Sequence, residues 1–132
     1  MEWNESLSVK VSQFDNEHKK LLEIIKVLNN AMSHGKGKDV LSKTLEELLN
    51  YTKTHFKNEE QLMQQHGYSG YSNQKVQHDA FIKKVTDLHE DYEKGNTMLS
   101  VSVMVFLSNW VITHIQKVDA EYASFFNGKG VK

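Results

Sequence analysis

Four stretches of this chain repeat apolar residues at steps of three and four, and each apolar stripe also contains histidines or carboxylates. The periodicity predicts four amphipathic α-helices, each burying one face. A buried histidine or carboxylate without a partner is costly, so an ordinary helical core avoids such residues. A cation bound between the helices would explain why all four apolar stripes contain histidines or carboxylates. The polar side chains in the stripes are His18, His55, Glu59, His78, His114 and Asp119.

Polar and glycine-rich turns separate the predicted helices, and proline, which would interrupt them, is absent. The first helix is expected to start at the N-cap residues Asp15 and Asn16. The four expected helices span approximately residues 15–33, 38–66, 72–94 and 97–127. Short connections make successive helices antiparallel, which predicts an all-α, up-down-up-down four-helix bundle in a single domain over residues 1–132. Residues 1–14 alternate loosely and are expected to form an extended N-terminal arm across the bundle.

The composition excludes several classes of function. A formal charge of −1 and a pI of about 6.6 give no basic surface for nucleic acid or an anionic membrane. The absence of cysteine excludes disulfides, iron–sulfur clusters and thiol chemistry. Residues 1–5 are polar and acidic, unlike a secretory signal, and no apolar run approaches the roughly 20 residues that span a bilayer. We therefore expect a soluble, cytoplasmic protein with no nucleic-acid or membrane partner. The sequence leaves the oligomeric state open, and a monomer is the working expectation.

The spacing of the polar side chains indicates how they could meet. His55 and Glu59 are four residues apart and therefore lie on one helix face. His114 and Asp119 are five residues apart, which puts them about 140° out of phase in an ideal helix. A shared site would need either a locally widened turn, such as a π-bulge, or a sideways reach by Asp119. In an up-down bundle, all the candidate ligands fall at the same end.

The number and type of these ligands favour a dinuclear metal centre. Imidazole and carboxylate without thiolate suit iron, zinc, copper or manganese. Six protein ligands exceed the four of a structural zinc site, and two carboxylates can each bridge two ions. The ferritin-like di-iron class uses Glu-x-x-His pairs, but none of the seven histidines has a glutamate three residues before it.

Ordered motifs around these ligands extend over nearly the whole chain. They are Trp3-Asn4, Phe14-Asp15-Asn16-Glu17-His18, His55-Phe56-x-x-Glu59-Glu60, His78-Asp79-x-Phe81 and Trp110-x-x-x-His114-Ile115-x-x-x-Asp119. In these motifs the sequence resembles the bacterial hemerythrins. The resemblance implies a four-helix bundle with two non-haem iron ions and O2 as the ligand. It also implies that His18 and His55 hold one iron, that His78 and His114 hold the other, and that Glu59 and Asp119 bridge them.

One position departs from the family pattern. The third helix of the family contains His-x-x-x-His, whereas this chain has Gln74 in place of the first of these histidines. An amide oxygen is a poorer iron donor than imidazole. Gln74 could therefore coordinate weakly, hold a water or leave a position open, and incomplete iron occupancy would follow.

The resemblance also suggests a ligand pocket and a function. The apolar O2 pocket of the family matches Trp110, Val111 and Ile115, although the same hydrophobicity suits an ordinary core. The implied function is O2 carriage, storage or delivery, so no catalytic residue is assigned. Two alternatives remain open. An open coordination position would allow peroxide or nitric oxide reduction, and a bundle that relays ligand binding to a partner would act as an O2 or redox sensor.

Overall fold

A computed structural model describes residues 2–35, 38–95 and 101–132. Every regular element in these ranges is helical. The elements are a 3-10 turn at Glu5–Leu7, α1 at Ser12–Ser33, α2 at Lys38–His66, α3 at Tyr71–Glu93, α4 at Val101–Thr113, a π-helical turn at His114–Asp119 and α5 at Ala120–Gly128. Because α4, the π turn and α5 follow without a break, they form the fourth helix. The expected start of this helix near residue 97 lies outside the described residues.

The first helix begins earlier than its capping pattern predicts. It starts at Ser12, so the prediction of Asp15 and Asn16 as N-caps is wrong. The Asp15 carboxylate instead accepts hydrogen bonds from the Val9 amide at 2.8 Å and the Ser8 hydroxyl at 2.6 Å. These bonds tie the segment before α1 to its first turn, and they occupy the oxygens that would otherwise cap the helix.

Residues 2–11 pack against the helices through alternate apolar side chains. Leu7 belongs to the larger of two apolar clusters, while Val9 and Val11 belong to the smaller one. The 3-10 turn at Glu5–Leu7 interrupts the continuous extended backbone that the alternation indicates. The extended arm across the bundle, the up-down-up-down order and the single domain over residues 1–132 stay predictions.

The two apolar clusters enclose the polar candidates. α1 packs on α2 and α4, and α2 also packs on α3. His55 contacts the ring of Phe14 from the smaller cluster and that of Phe56 from the larger cluster. Phe56 also stacks on His78, with ring centroids 3.8 Å apart. His55 therefore lies where the two clusters meet, and His78 lies against the larger one. None of the helices in the described ranges is both long and apolar enough to cross a membrane.

Candidate metal centre

The structure brings the six predicted ligands together in the interior. Each is at most 4% exposed, and Gln74 is 1% exposed. They come from α1 (His18), α2 (His55 and Glu59), α3 (His78) and the π turn (His114 and Asp119). The candidate ligands therefore lie close together, as expected if they all fall at the same end of the bundle.

The donor atoms form two groups. The first group is His18, His55 and Glu59, and the second group is His78, His114 and Asp119. Within each group the ligand atoms lie within 4.8 Å of one another. Two histidines and one carboxylate are the donor set of many non-haem Fe(II) sites, where the remaining positions stay open.

Both carboxylates face both groups. Asp119 Oδ1 lies 3.1 Å from His114 Nε2, and its other oxygen, Oδ2, lies 3.2 Å from His18 Nε2. Glu59 Oε1 lies 3.2 Å from His55 Nε2 and 3.5 Å from His78 Nε2. Each carboxylate therefore stands between the groups, which is the arrangement needed to bridge two ions.

These spacings are also those of donors that share an ion. Adjacent donors of an octahedral ion, each about 2.1 Å from it, lie about 3.0 Å apart. The Nε2 atoms of His78 and His114 are 3.2 Å apart, and the closest histidine–carboxylate contacts across the centre are 3.1 and 3.2 Å. Among the described side chains, buried atoms without a hydrogen-bond partner occur in His18 and at Glu59 Oε1. A bound cation would satisfy His18 Nε2 and Glu59 Oε1, so the residues present fit the metal.

Three of the four histidines are oriented through their outer nitrogen. In each of them Nδ1 donates a hydrogen bond to a side-chain oxygen, which leaves Nε2 directed at the centre. The acceptors are Glu17 Oε1 for His55 at 2.6 Å, Glu60 Oε2 for His78 at 2.7 Å and Gln77 Oε1 for His114 at 3.0 Å. Residue types and spacing alone do not assign these three roles. The only available signal was that each acceptor is adjacent in the chain to a candidate ligand.

The π turn explains how His114 and Asp119 share a site. The Ala120 amide donates to the carbonyl of Ile115, five residues earlier, as expected of a widened turn. Of the two alternatives that the sequence leaves open, the structure has the widened turn.

Tyr122 is a further buried contact of the centre. Its hydroxyl donates to Glu59 Oε2 at 2.5 Å, and the side chain is fully buried. Burial, followed by the charges of Glu59 and Asp119, raises the pKa of Tyr122 well above its ordinary value. The phenol therefore keeps its proton and holds Glu59 in place. The sequence indicated only that Tyr122 lies in an apolar stripe.

The electrostatics of the site favour positive charge. Burial lowers the pKa of His18, but the Asp119 and Glu59 carboxylates outweigh it and raise this pKa to about 10. Burial opposes ionisation of Asp119, yet its contacts with His114 and His18 hold its pKa well below the usual range. Without an ion, a proton at His18 partly replaces the positive charge that a metal would provide.

Gln74 lies against the second group. Its Nε2 donates to Asp119 Oδ1 at 3.0 Å, and its Oε1 is 3.0 Å from His114 Nε2. The structure thus places Gln74 on the side of the centre where the sequence expects it. Its role as a weak ligand or a lost one stays a prediction.

The expected pocket residues lie beside the centre. Trp110 is half-buried and stacks on His114, with ring centroids 4.5 Å apart and an interplanar angle of 9°. Val111 and Ile115 are buried in the larger apolar cluster. Their role in binding O2 stays a prediction, because these contacts are also those of an ordinary core.

Known proteins share this sequence and fold. Residues 9–126 match the hemerythrin HHE cation binding domain. The chain is 32% identical over 120 residues to a bacteriohemerythrin of Pseudomonas paraeruginosa, a match covering 91% of this chain and 77% of the relative. It is 32% identical over 120 residues to hemerythrin subunit 2 of Golfingia vulgaris, covering 91% and 88%. A crystal structure of wild-type hemerythrin superposes with a TM-score of 0.90 at 28% identity, covering 94% and 95%.

The matches and the geometry agree. A hemerythrin domain implies a non-haem di-iron site, and this chain has two buried groups of histidines and carboxylates able to hold the two ions. The chain therefore belongs to the hemerythrin HHE cation-binding domain family.

Proposed function

We propose that the first and second groups each hold one iron ion and that the protein binds O2 reversibly at this centre, for carriage, storage or delivery. His18 and His55 hold one ion, His78 and His114 hold the other, and Glu59 and Asp119 bridge them. The observation that supports this most directly is Asp119, whose two oxygens face histidines of different groups at 3.1 and 3.2 Å. The hemerythrin and bacteriohemerythrin relatives support O2 as the ligand.

The charges around the centre support two divalent ions. Glu59 and Asp119 would face the ions, and Glu17 and Glu60 accept from the outer nitrogens of His55 and His78. Although burial opposes it, hydrogen bonds from His55, Gln13 and Asn58 lower the pKa of Glu17, so this carboxylate is ionised at neutral pH. Four carboxylates balance two divalent ions, and a buried charge is tolerated when it is paired in this way.

The side chains around the centre control the access of water to the ions and the position of the Tyr122 phenol proton. Iron supplies the electrons that O2 binding requires, while the buried aromatic and aliphatic side chains exclude water from the ions. Trp110, Val111 and Ile115 form the proposed apolar wall beside His114. Tyr122 keeps a proton on its phenol and a fixed hydrogen bond to Glu59, which preserves the bridging orientation of that carboxylate.

Gln74 alters the second half of the centre. In this proposal its Oε1 contacts the second ion in place of an imidazole, as its 3.0 Å distance from His114 Nε2 allows. A neutral amide oxygen donates less strongly than imidazole. The second ion is therefore held less tightly and is more acidic towards water.

Removing iron should destabilise the fold, because the ligands come from all four helices and binding free energy becomes folding free energy. An ion at a thousandfold its Kd adds about 4 kcal/mol, and each kcal/mol shifts the melting temperature of a domain this size by roughly 4 °C. Chelation should lower the melting temperature by at least about 10 °C, measured by circular dichroism, and added iron should restore it. An iron-free protein as stable as the loaded one would exclude a structural contribution from the ions.

Changing a bridging carboxylate should cost more iron than changing one histidine, because only the carboxylate contacts both ions. Glu59→Gln and Asp119→Asn should each retain less iron than His78→Gln, as measured by elemental analysis of folded protein. Glu121→Gln, at an exposed position near Asp119 in the chain, is the matched control and should keep the normal content. If both amide variants keep two irons per chain, the bridging assignment is wrong.

The proposed activity has a direct test. The iron-loaded, reduced protein should develop an absorption band when O2 is added, and the band should disappear when O2 is removed under argon, through several cycles. The same sample is then given hydrogen peroxide and an electron donor, and consumption of the donor is followed. Rapid, sustained peroxide turnover without a reversible O2 band would favour a peroxide-reducing enzyme and reject the carriage proposal.

Gln74→His should move the centre towards stable O2 binding, because an imidazole donates more strongly and limits water access to the second ion. We expect higher iron content per chain and slower decay of the oxygenated band. Gln61→His is the matched control, since it makes the same change on the exposed face of α2. Unchanged iron content and decay rate in Gln74→His would mean that Gln74 does not contact the ion.

A further inference from the structure

The two halves of the centre differ mainly in one neutral side chain. We propose that Gln74 is a displaceable donor, which makes the half of the centre formed by His78 and His114 a second binding position for small anions such as azide. This inference rests on the proposed di-iron centre. It goes beyond that proposal because it assigns a second ligand position, at the ion that Gln74 must leave before an anion can bind.

The Gln74 amide lies beside the nitrogen through which His114 would bind the second ion. Gln74 Oε1 is 3.0 Å from His114 Nε2, and Asp119 Oδ1 is 3.1 Å from that same nitrogen. Both spacings are those of adjacent donors on one octahedral ion, about 3.0 Å. The Gln74 amide oxygen and His114 Nε2 therefore lie where both could contact the same ion.

The coordination positions of the two ions differ by one side chain. Two imidazoles, two bridging carboxylates and one solvent oxygen shared by both ions would fill five of the six positions on each ion. Among the described side chains, none is available for the sixth position in the first half, whereas Gln74 is available for it in the second half. The two ions therefore have the same fixed ligands, and the additional donor on the second is uncharged.

An anion would compete with the Gln74 amide oxygen for its position on the second ion. An uncharged amide oxygen is a weaker donor to a cation than an anion is, whereas an imidazole nitrogen is displaced with difficulty. Gln74 Nε2 already donates a hydrogen bond to an anionic oxygen, that of Asp119. A displaced Gln74 can donate in the same way to a bound anion, and it stays buried while doing so. The amide thus gives up a weak metal contact and gains a charge-assisted hydrogen bond.

The surroundings of His114 favour an anion. The outer nitrogen of His114 is held by the amide of Gln77, whereas those of His55 and His78 are held by carboxylates. An anion on the His114 side therefore meets the neutral amides of Gln74 and Gln77 beside the bridging carboxylate of Asp119. A surface cleft of about 370 Å³, lined in part by Gln77, Trp110, Thr113 and His114, extends to this side chain.

The test counts azide molecules bound by the oxidised, iron-loaded protein. Iron content is measured first, and azide is then titrated by equilibrium dialysis and by the azide-to-iron charge-transfer absorption. We expect two azides per chain in the wild-type protein and one in Gln74→His, whose imidazole is not displaced. Gln74→Glu should also bind one, because a carboxylate holds the position and repels the anion. Gln61→His should keep two.

Two results would overturn the inference. One azide per chain in a wild-type protein with two irons would show that the amide is not displaced. Two azides in both Gln74→His and Gln74→Glu would show that the second anion binds elsewhere. Fewer than two irons per wild-type chain would instead reject the proposed di-iron function, and this inference with it. Circular dichroism of each variant establishes that it is folded before its azide count is used.

Discussion

Two carboxylates buried between apolar clusters are the constraint on which the rest of the structure depends. Asp119 is 1% exposed and Glu59 is fully buried, and an unpaired charge at such a depth is strongly destabilising. The helices must therefore bring positive charge or donors to the same level of the interior. His18 on α1 and His114 on the π turn meet this requirement from opposite sides of Asp119. The packing of the helices and the formation of the site are consequently coupled, since His18 reaches Asp119 and His78 reaches Glu59 only when the helices have assembled.

Much of the site could be predicted from the sequence because the two signals involved are local. Helical periodicity identifies the buried face, and the cost of burying polar groups identifies which residues on that face need an explanation. Together they indicated the six donors that the structure brings together. The spacing of His114 and Asp119 also showed that an ideal helix would not let them share a site. Either a widened turn or a sideways reach by Asp119 would bring them together. The choice of a π turn could not be made from residue types, since it depends on where the other helices place their donors.

The remainder could not be predicted because it depends on contacts between atoms distant in the chain. Glu17 precedes His18 in the chain, yet its carboxylate accepts from His55 on the next helix at 2.6 Å. Periodicity gives the face of a residue but not the atom that its side chain reaches. The same limit applies to the start of α1. A capping preference favours Asp15, but the segment before the helix supplies two donors that compete for its oxygens.

The hydrogen bonds behind the histidines show how closely the two halves match. A carboxylate that accepts the Nδ1 proton makes an imidazole a stronger donor, and an amide does so less. Each half has one carboxylate-supported histidine, His55 in the first and His78 in the second. The other member of each half is weakly supported. Within the described part of the chain, His18 Nδ1 has no hydrogen-bond partner, and His114 Nδ1 has only the amide of Gln77. With histidine support so nearly balanced, the main difference between the ions is whether a side chain occupies the remaining positions. The chemical asymmetry of the centre therefore depends chiefly on Gln74, the residue at which the chain departs from the family pattern.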